Sequence, residues 1–194
     1  MIIIYPNCGT SVGGGAYPEL ERRRQAMWYA VWVATGCEDK VVEMCRKLVP
    51  EEYYIECFIP KVERKKKYLG SWHMQQMVMF PGYIFIITEN IEKVYIALKH
   101  VPEFTKVLGD GKEPIALYKK EVQFLNSMKN RNHIIKMSLG YLENDRVVIT
   151  EGPLRNYTGC IKKIDRHKCI AIIEVEMFGR AMDVKVGLEV ISKF

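Results

Sequence analysis

The sequence predicts an α+β protein in two folded parts, an amino-terminal α/β sandwich and a carboxy-terminal small five-stranded β-barrel. Three observations carry that expectation. Strand-like and helix-like segments alternate from Trp28 to about Arg131. After Asp145 the chain consists of short runs of branched residues with turns at close spacing, the pattern of a small all-β barrel. Between the two, Ile134 to Asn144 has no clear periodicity and reads as a linker. The expected layout is a flexible extension over residues 1–26, a first domain over 27–132, a linker over 133–142 and a second domain over 143–194.

The elements follow in order. Met1 to Ala26 carries Gly13-Gly14-Gly15 and Arg22-Arg23-Arg24 and differs in character from the rest, with Met27 a natural start. Trp28 to Thr35 is aromatic, branched and uncharged, so it reads as a buried strand. Asp39 is a possible N-cap for a helix whose Val41, Val42, Cys45, Leu48 and Val49 recur at helical spacing. Tyr53 to Pro60 is the next strand, Lys61 to Gly70 a basic loop or hairpin tip, and Met74 to Thr88 strand material broken at Pro81. Asn90 caps a second helix, Thr105 to Leu108 is a short strand, and Lys119 to about Arg131 is a third helix. The barrel strands are expected at Val147–Thr150, Cys160–Ile164, Cys169–Glu176, Ala181–Val186 and Glu189–Ile191.

Composition narrows the chemistry. The net charge of +6 permits a polyanionic partner without requiring one, so its distribution decides. The six cysteines, Cys8, Cys37, Cys45, Cys57, Cys160 and Cys169, include no C-x-x-C pair. The histidines do not cluster with them, so no metal site is expected. Scattered thiols fit a reducing, cytoplasmic setting. The longest apolar run, Met77 to Ile87, is too short to span a membrane and contains Pro81-Gly82. No organic cofactor is implied.

Two short phrases then identify a family. Phe80-Pro81-Gly82-Tyr83 lies inside an apolar run, with Trp28-Tyr29 before it and Val101-Pro102 and Leu108-Gly109 after. Glu151-Gly152-Pro153-Leu154 is followed by Gly159 and Phe178-Gly179-Arg180. In this order the chain after Met27 resembles the NusG transcription elongation factors, with an amino-terminal polymerase-binding domain and a carboxy-terminal KOW domain. Ser71-Trp72-His73, Val101-Pro102-Glu103, Lys163 to Lys168 and Gly187 to Ile191 resemble one branch, the LoaP-type antiterminators. That resemblance implies a factor that binds bacterial RNA polymerase and a structured hairpin in the nascent leader RNA. General NusG factors usually carry Phe where this chain has Leu154, which puts Rho and ribosome contacts in doubt.

Candidate residues follow, each with two readings open. Phe80, Tyr83 and Phe85, joined by Trp28, Tyr29 and Trp72, are either core or an aromatic patch that docks on polymerase. Lys61, Arg64, Lys65, Lys66 and Lys67 are either a solvated hairpin tip or a contact to DNA phosphates beside the transcription bubble. Arg155, Lys162, Lys163, Arg166, His167 and Lys168 surround two turns; over Arg155 to Lys168 the charge is +4, whereas Glu143 to Phe194 sums to +1. So focused a patch suits a defined RNA site, with Asn156 and Arg180 as further contacts. Gly152 and Gly159 are expected to supply positive φ or close approach.

Competing classes are an enzyme built on Cys37 and a ribosome-associated KOW protein. No catalytic signature accompanies Cys37, and the amino-terminal domain argues against a ribosomal role. The expected protein is a non-enzymatic monomer.

Overall fold

The computed structural model describes residues 26–110, 113–128, 130, 132–144 and 146–192. Apart from Ala26, the expected extension lies outside the described residues. In chain order the elements are β1 (Met27–Val33), α1 (Glu38–Leu48), β2 (Glu56–Phe58), β3 (Lys61–Tyr68), β4 (Ser71–Val78), β5 (Tyr83–Thr88), α2 (Ile91–Leu98) and β6 (Phe104–Val107). Then come α3 (Lys119–Met128), β7 (Ile134–Ile135), β8 (Ser138–Glu143), β9 (Arg146–Glu151), β10 (Ile161–Asp165), β11 (Ile170–Met177) and β12 (Arg180–Ser192). They form a mixed α/β fold of three sheets, ordered β2-β5-β1-β6, β4-β3-β7 and β10-β11-β12-β8-β9.

Alternation along β1 and β5 divides the interior into two cores. Neighbouring side chains on a strand point to opposite faces. Tyr29, Val31 and Val33 of β1, with Ile84 and Ile86 of β5, pack with Val41, Val42 and Cys45 of α1 and Val94 and Leu98 of α2. Ala30 of β1, with Phe85 and Ile87 of β5, faces the other way. There they share a core with Phe124, Leu125 and Met128 of α3 and with Ile173, Val175, Met177 and Leu188 of the carboxy-terminal sheet. Both faces of the central sheet are therefore covered, which explains why Tyr83 to Ile87 reads as an unbroken apolar run.

Local chemistry sets the helix ends. Asn90 Oδ1 accepts from the Lys93 backbone N–H at 3.1 Å and caps α2 as expected. The N-cap of α1 is Cys37, without a side-chain cap bond, and not Asp39, which lies one residue inside the helix. The carboxylate of Glu38 is instead buried and serves loop backbone. Its Oε1 accepts from Gly82 N–H at 2.7 Å and its Oε2 from Gly36 N–H at 2.8 Å.

Three parts of the sequence expectation differ from the structure. The basic stretch from Lys61 is a strand, β3, paired along its whole length with β4 and turning at Leu69-Gly70. The expected linker contains two strands: β7 pairs parallel with β3, and β8 lies between β12 and β9. Their signal is weak because β7 has two residues and β8 carries Ser138 and Gly140; β3 beside β7, and β12 and β9 on either side of β8, supply the order that local pattern lacks. The last two expected strands are one. β12 pairs antiparallel with β11 through Gly187, then parallel with β8 from Leu188.

Candidate docking face and nucleic-acid interface

Phe178 sits at the centre of the junction between the two parts. It and Gly179 form the two-residue turn between β11 and β12, both with positive φ, 58° and 69°. Such tight hairpins favour Asn-Gly because positive φ crowds a side chain. Here a phenyl ring occupies the strained position and reaches across to the central sheet. It stacks on Tyr83 with ring centroids 4.5 Å apart and meets Phe80 edge-on at 5.7 Å. Phe85 lies behind at 6.1 Å.

Polar contacts frame this stack. The buried Glu121, in the first turn of α3, accepts from the Phe178 N–H at 2.5 Å and from the Tyr118 N–H at 2.7 Å. The Arg180 guanidinium donates to the Tyr83 hydroxyl at 3.4 Å. Farther along, Phe124 and Tyr157 meet edge-on, the Tyr157 hydroxyl bonds Ser127, and Lys65 pairs with Glu189 at 2.5 Å.

The expected docking aromatics thus occupy different settings. Phe80 and Phe85 are in the core, 1% and 0% exposed. Tyr29 is buried toward α1 and α2, and half-buried Trp28 packs edge-on against Phe58. Tyr83 is half-buried beneath Phe178. Trp72 stands apart on β4, opposite Lys67, and is 45% exposed. Sequence reading did not single out Glu38, Glu121 or Phe178 as positioning groups; a Phe directly before a turn glycine was the one available signal for Phe178.

The basic residues also separate. Lys61 pairs with Asp39 at 2.7 Å. Lys162 bridges Glu174 and Asp183, both at 2.9 Å, and these carboxylates hold its ammonium well above the ordinary lysine range. Arg155, Asn156, Lys163, Arg166 and His167 are exposed, and Lys163 and Arg166 pair with no carboxylate among the described residues. Lys168 stands 3.7 Å from Asp165. The β3–β4 hairpin and the β10–β11 turn converge on one cleft of about 380 Å³, lined by Arg64 to Lys67, Trp72, His167 and Lys168. Gly152 has φ of 90° and abuts Ser138, so it fills its expected role; Gly159 shows neither positive φ nor a close neighbour, so the expectation there is corrected.

The family model described as transcription termination factor nusG matches residues 26–126, more than half of the chain. The chain belongs to the NusG family. A NusG transcription termination/antitermination protein of Rickettsia felis is 26% identical over 171 residues, covering 86% of this chain and 89% of its own. That of Campylobacter jejuni is 23% identical over 170 residues, covering 86% and 96%. A solved structure, described as domain interaction in Thermotoga maritima NusG, shares the fold with a TM-score of 0.54 at 20% identity. It covers 84% of this chain and 93% of the other. The chain is therefore a NusG-type transcription termination/antitermination factor, and NusG proteins are transcription factors by family. Among the described residues no helix is long and apolar enough to cross a membrane.

Proposed function

We propose that this protein is a processive antiterminator of the LoaP kind. It binds bacterial RNA polymerase through the β5 face of its amino-terminal domain. It recognises a structured leader RNA through the carboxy-terminal sheet, a KOW-type barrel. The observation that carries the RNA part is the turn flanking β10, where Lys163, Arg166 and His167 stand exposed on a sheet whose other charges nearly cancel. Focused cations suit a defined RNA site, and A-form RNA offers a protein its loops and distortions more readily than its deep groove.

The polymerase part needs one movement. Tyr83 is covered by Phe178, so docking requires the β11–β12 turn to lift from it. Polymerase binds the open arrangement and shifts the population toward it. Once one domain holds polymerase, the other meets the emerging RNA at high effective concentration, so two modest affinities combine.

The test is binding of the full chain to an RNA hairpin enriched from a randomised-loop pool, against its scrambled version, across salt. Selective binding that Arg166→Ala weakens is expected. Equal binding to both RNAs, lost with salt, would instead assign a general NusG-type elongation factor recruited by protein contacts.

A further inference from the structure

The cleft between the β3–β4 hairpin and the β10–β11 turn joins two basic segments far apart in the chain. Its wall from the first domain carries Arg64, Lys66, Lys67 and Trp72, and its wall from the second carries His167 and Lys168. Among the described residues no carboxylate lines it, though Asp165 stands 3.7 Å from Lys168. Lys65 is already paired with Glu189 at the junction. Among the described residues the Arg64 Nε is buried without a hydrogen-bond partner.

Cations alone would suit any anion. The exposed indole of Trp72 among them selects further, because a planar apolar ring flanked by positive charge matches a base flanked by phosphodiesters. A paired base has its faces covered by its neighbours, so the strand must be single. We infer that this cleft binds an unpaired RNA segment, one base stacked on Trp72 and the adjoining phosphates held by Arg64, Lys66, Lys67 and Lys168. The choice of RNA rests on the function proposed above. His167 and Lys168 continue the turn of Lys163 and Arg166, so a strand leaving a captured hairpin runs directly into the cleft. Because each domain supplies one wall, the site is complete only while the domains are closed; occupancy opposes opening, so the cleft serves the polymerase-free chain and empties when the domains part to dock.

The experiment is fluorescence anisotropy of the full chain with labelled octauridylate, the matching thymidylate DNA and the enriched hairpin. The expected result is salt-sensitive binding of octauridylate, tighter than the DNA and weakened roughly tenfold by Trp72→Ala, the loss of one stacked base. Trp72→Phe restores most of it. Lys66→Gln and His167→Ala each weaken it. Octauridylate binding unchanged in Trp72→Ala, or DNA bound as tightly as RNA, overturns the inference. Hairpin binding lost in Arg166→Ala alongside octauridylate binding indifferent to Trp72 leaves the proposed function and removes the cleft. Trp72-dependent octauridylate binding without hairpin selectivity supports the cleft and removes hairpin recognition.

Discussion

Two single residues hold the candidate docking face, and each can be tested alone. Phe178 sets a favourable stack against an unfavourable backbone. An aromatic pair contributes about 0.5–1.5 kcal/mol beyond area burial, while a left-handed non-glycine residue costs roughly 1–2 kcal/mol. Asn tolerates that backbone and lacks the ring, so Phe178→Asn should keep the hairpin and loosen the junction. We expect it to tighten polymerase binding in a titration with core enzyme. Tyr83→Ala should weaken that binding while the protein still folds; unchanged affinity in the folded variant would remove β5 from the docking surface. Glu38 is the second residue, its buried carboxylate accepting from two loop N–H groups. Glu38→Ala leaves both donors unmet, and urea unfolding should show a loss of about 3 kcal/mol, near the sum of two charge-assisted bonds. Phe80 and Tyr83 could be singled out from sequence because an aromatic pair around Pro-Gly is conspicuous. Glu38 could not, because an acidic residue in a first helical turn ordinarily reads as a solvated partner of the helix dipole.

At the scale of elements, β12 is where sequence and structure part most clearly. Gly187 looks like a strand end, yet it is a mid-strand residue that passes against the Glu63 carbonyl of β3. A glycine inside a strand often marks close backbone approach, a cause that only the partner reveals. Gly187→Val should force β12 off β3 and lower stability by roughly 2 kcal/mol, as overpacking does, readable as a fall in the thermal midpoint. The long strands and the three helices were legible because each carries its own periodicity or cap. β7 and β8 were not: β7 has two residues and a distant partner in β3, and β8, although hairpinned to β9, owes its other edge to β12. The seam of α1 and β2 gives another element-level test. Cys57 of β2 is buried, and its hydrogen bond with Cys45 of α1 together with burial pushes its thiol well above the ordinary range. The thiolate is the reactive form, so iodoacetamide at pH 8 should spare Cys57 in the native protein and label it after denaturation.

For the whole molecule, the question is what holds the carboxy-terminal sheet against the central sheet. Their shared core continues from Phe85 through Phe178 to Met177 and Leu188, so the junction is apolar at its centre and polar at its rim. The Lys65–Glu189 pair is partly exposed, and such pairs contribute about 0–1 kcal/mol. Glu189→Gln should therefore shift the closed population little, and Phe178→Asn should shift it more. Distance measurements between one label on each domain check this ranking; the reverse order would assign the closure to electrostatics. Both candidate surfaces were visible as residues in the sequence. That Phe178 covers Tyr83, and that two distant basic segments line one cleft, was not, because no local pattern encodes how segments far apart in the chain meet.

The β11–β12 turn also has a place in time. Phe178 and Arg180 follow every residue they cover in chain order, and domains tend to fold as they leave the ribosome, amino-terminal part first. During synthesis the strands of the β2-β5-β1-β6 sheet are thus complete before the turn that covers Tyr83 has been translated. Each newly made molecule therefore passes through an interval in which Tyr83 has no cover; if β5 is the docking surface proposed above, that interval is when a polymerase can reach it without first displacing the turn.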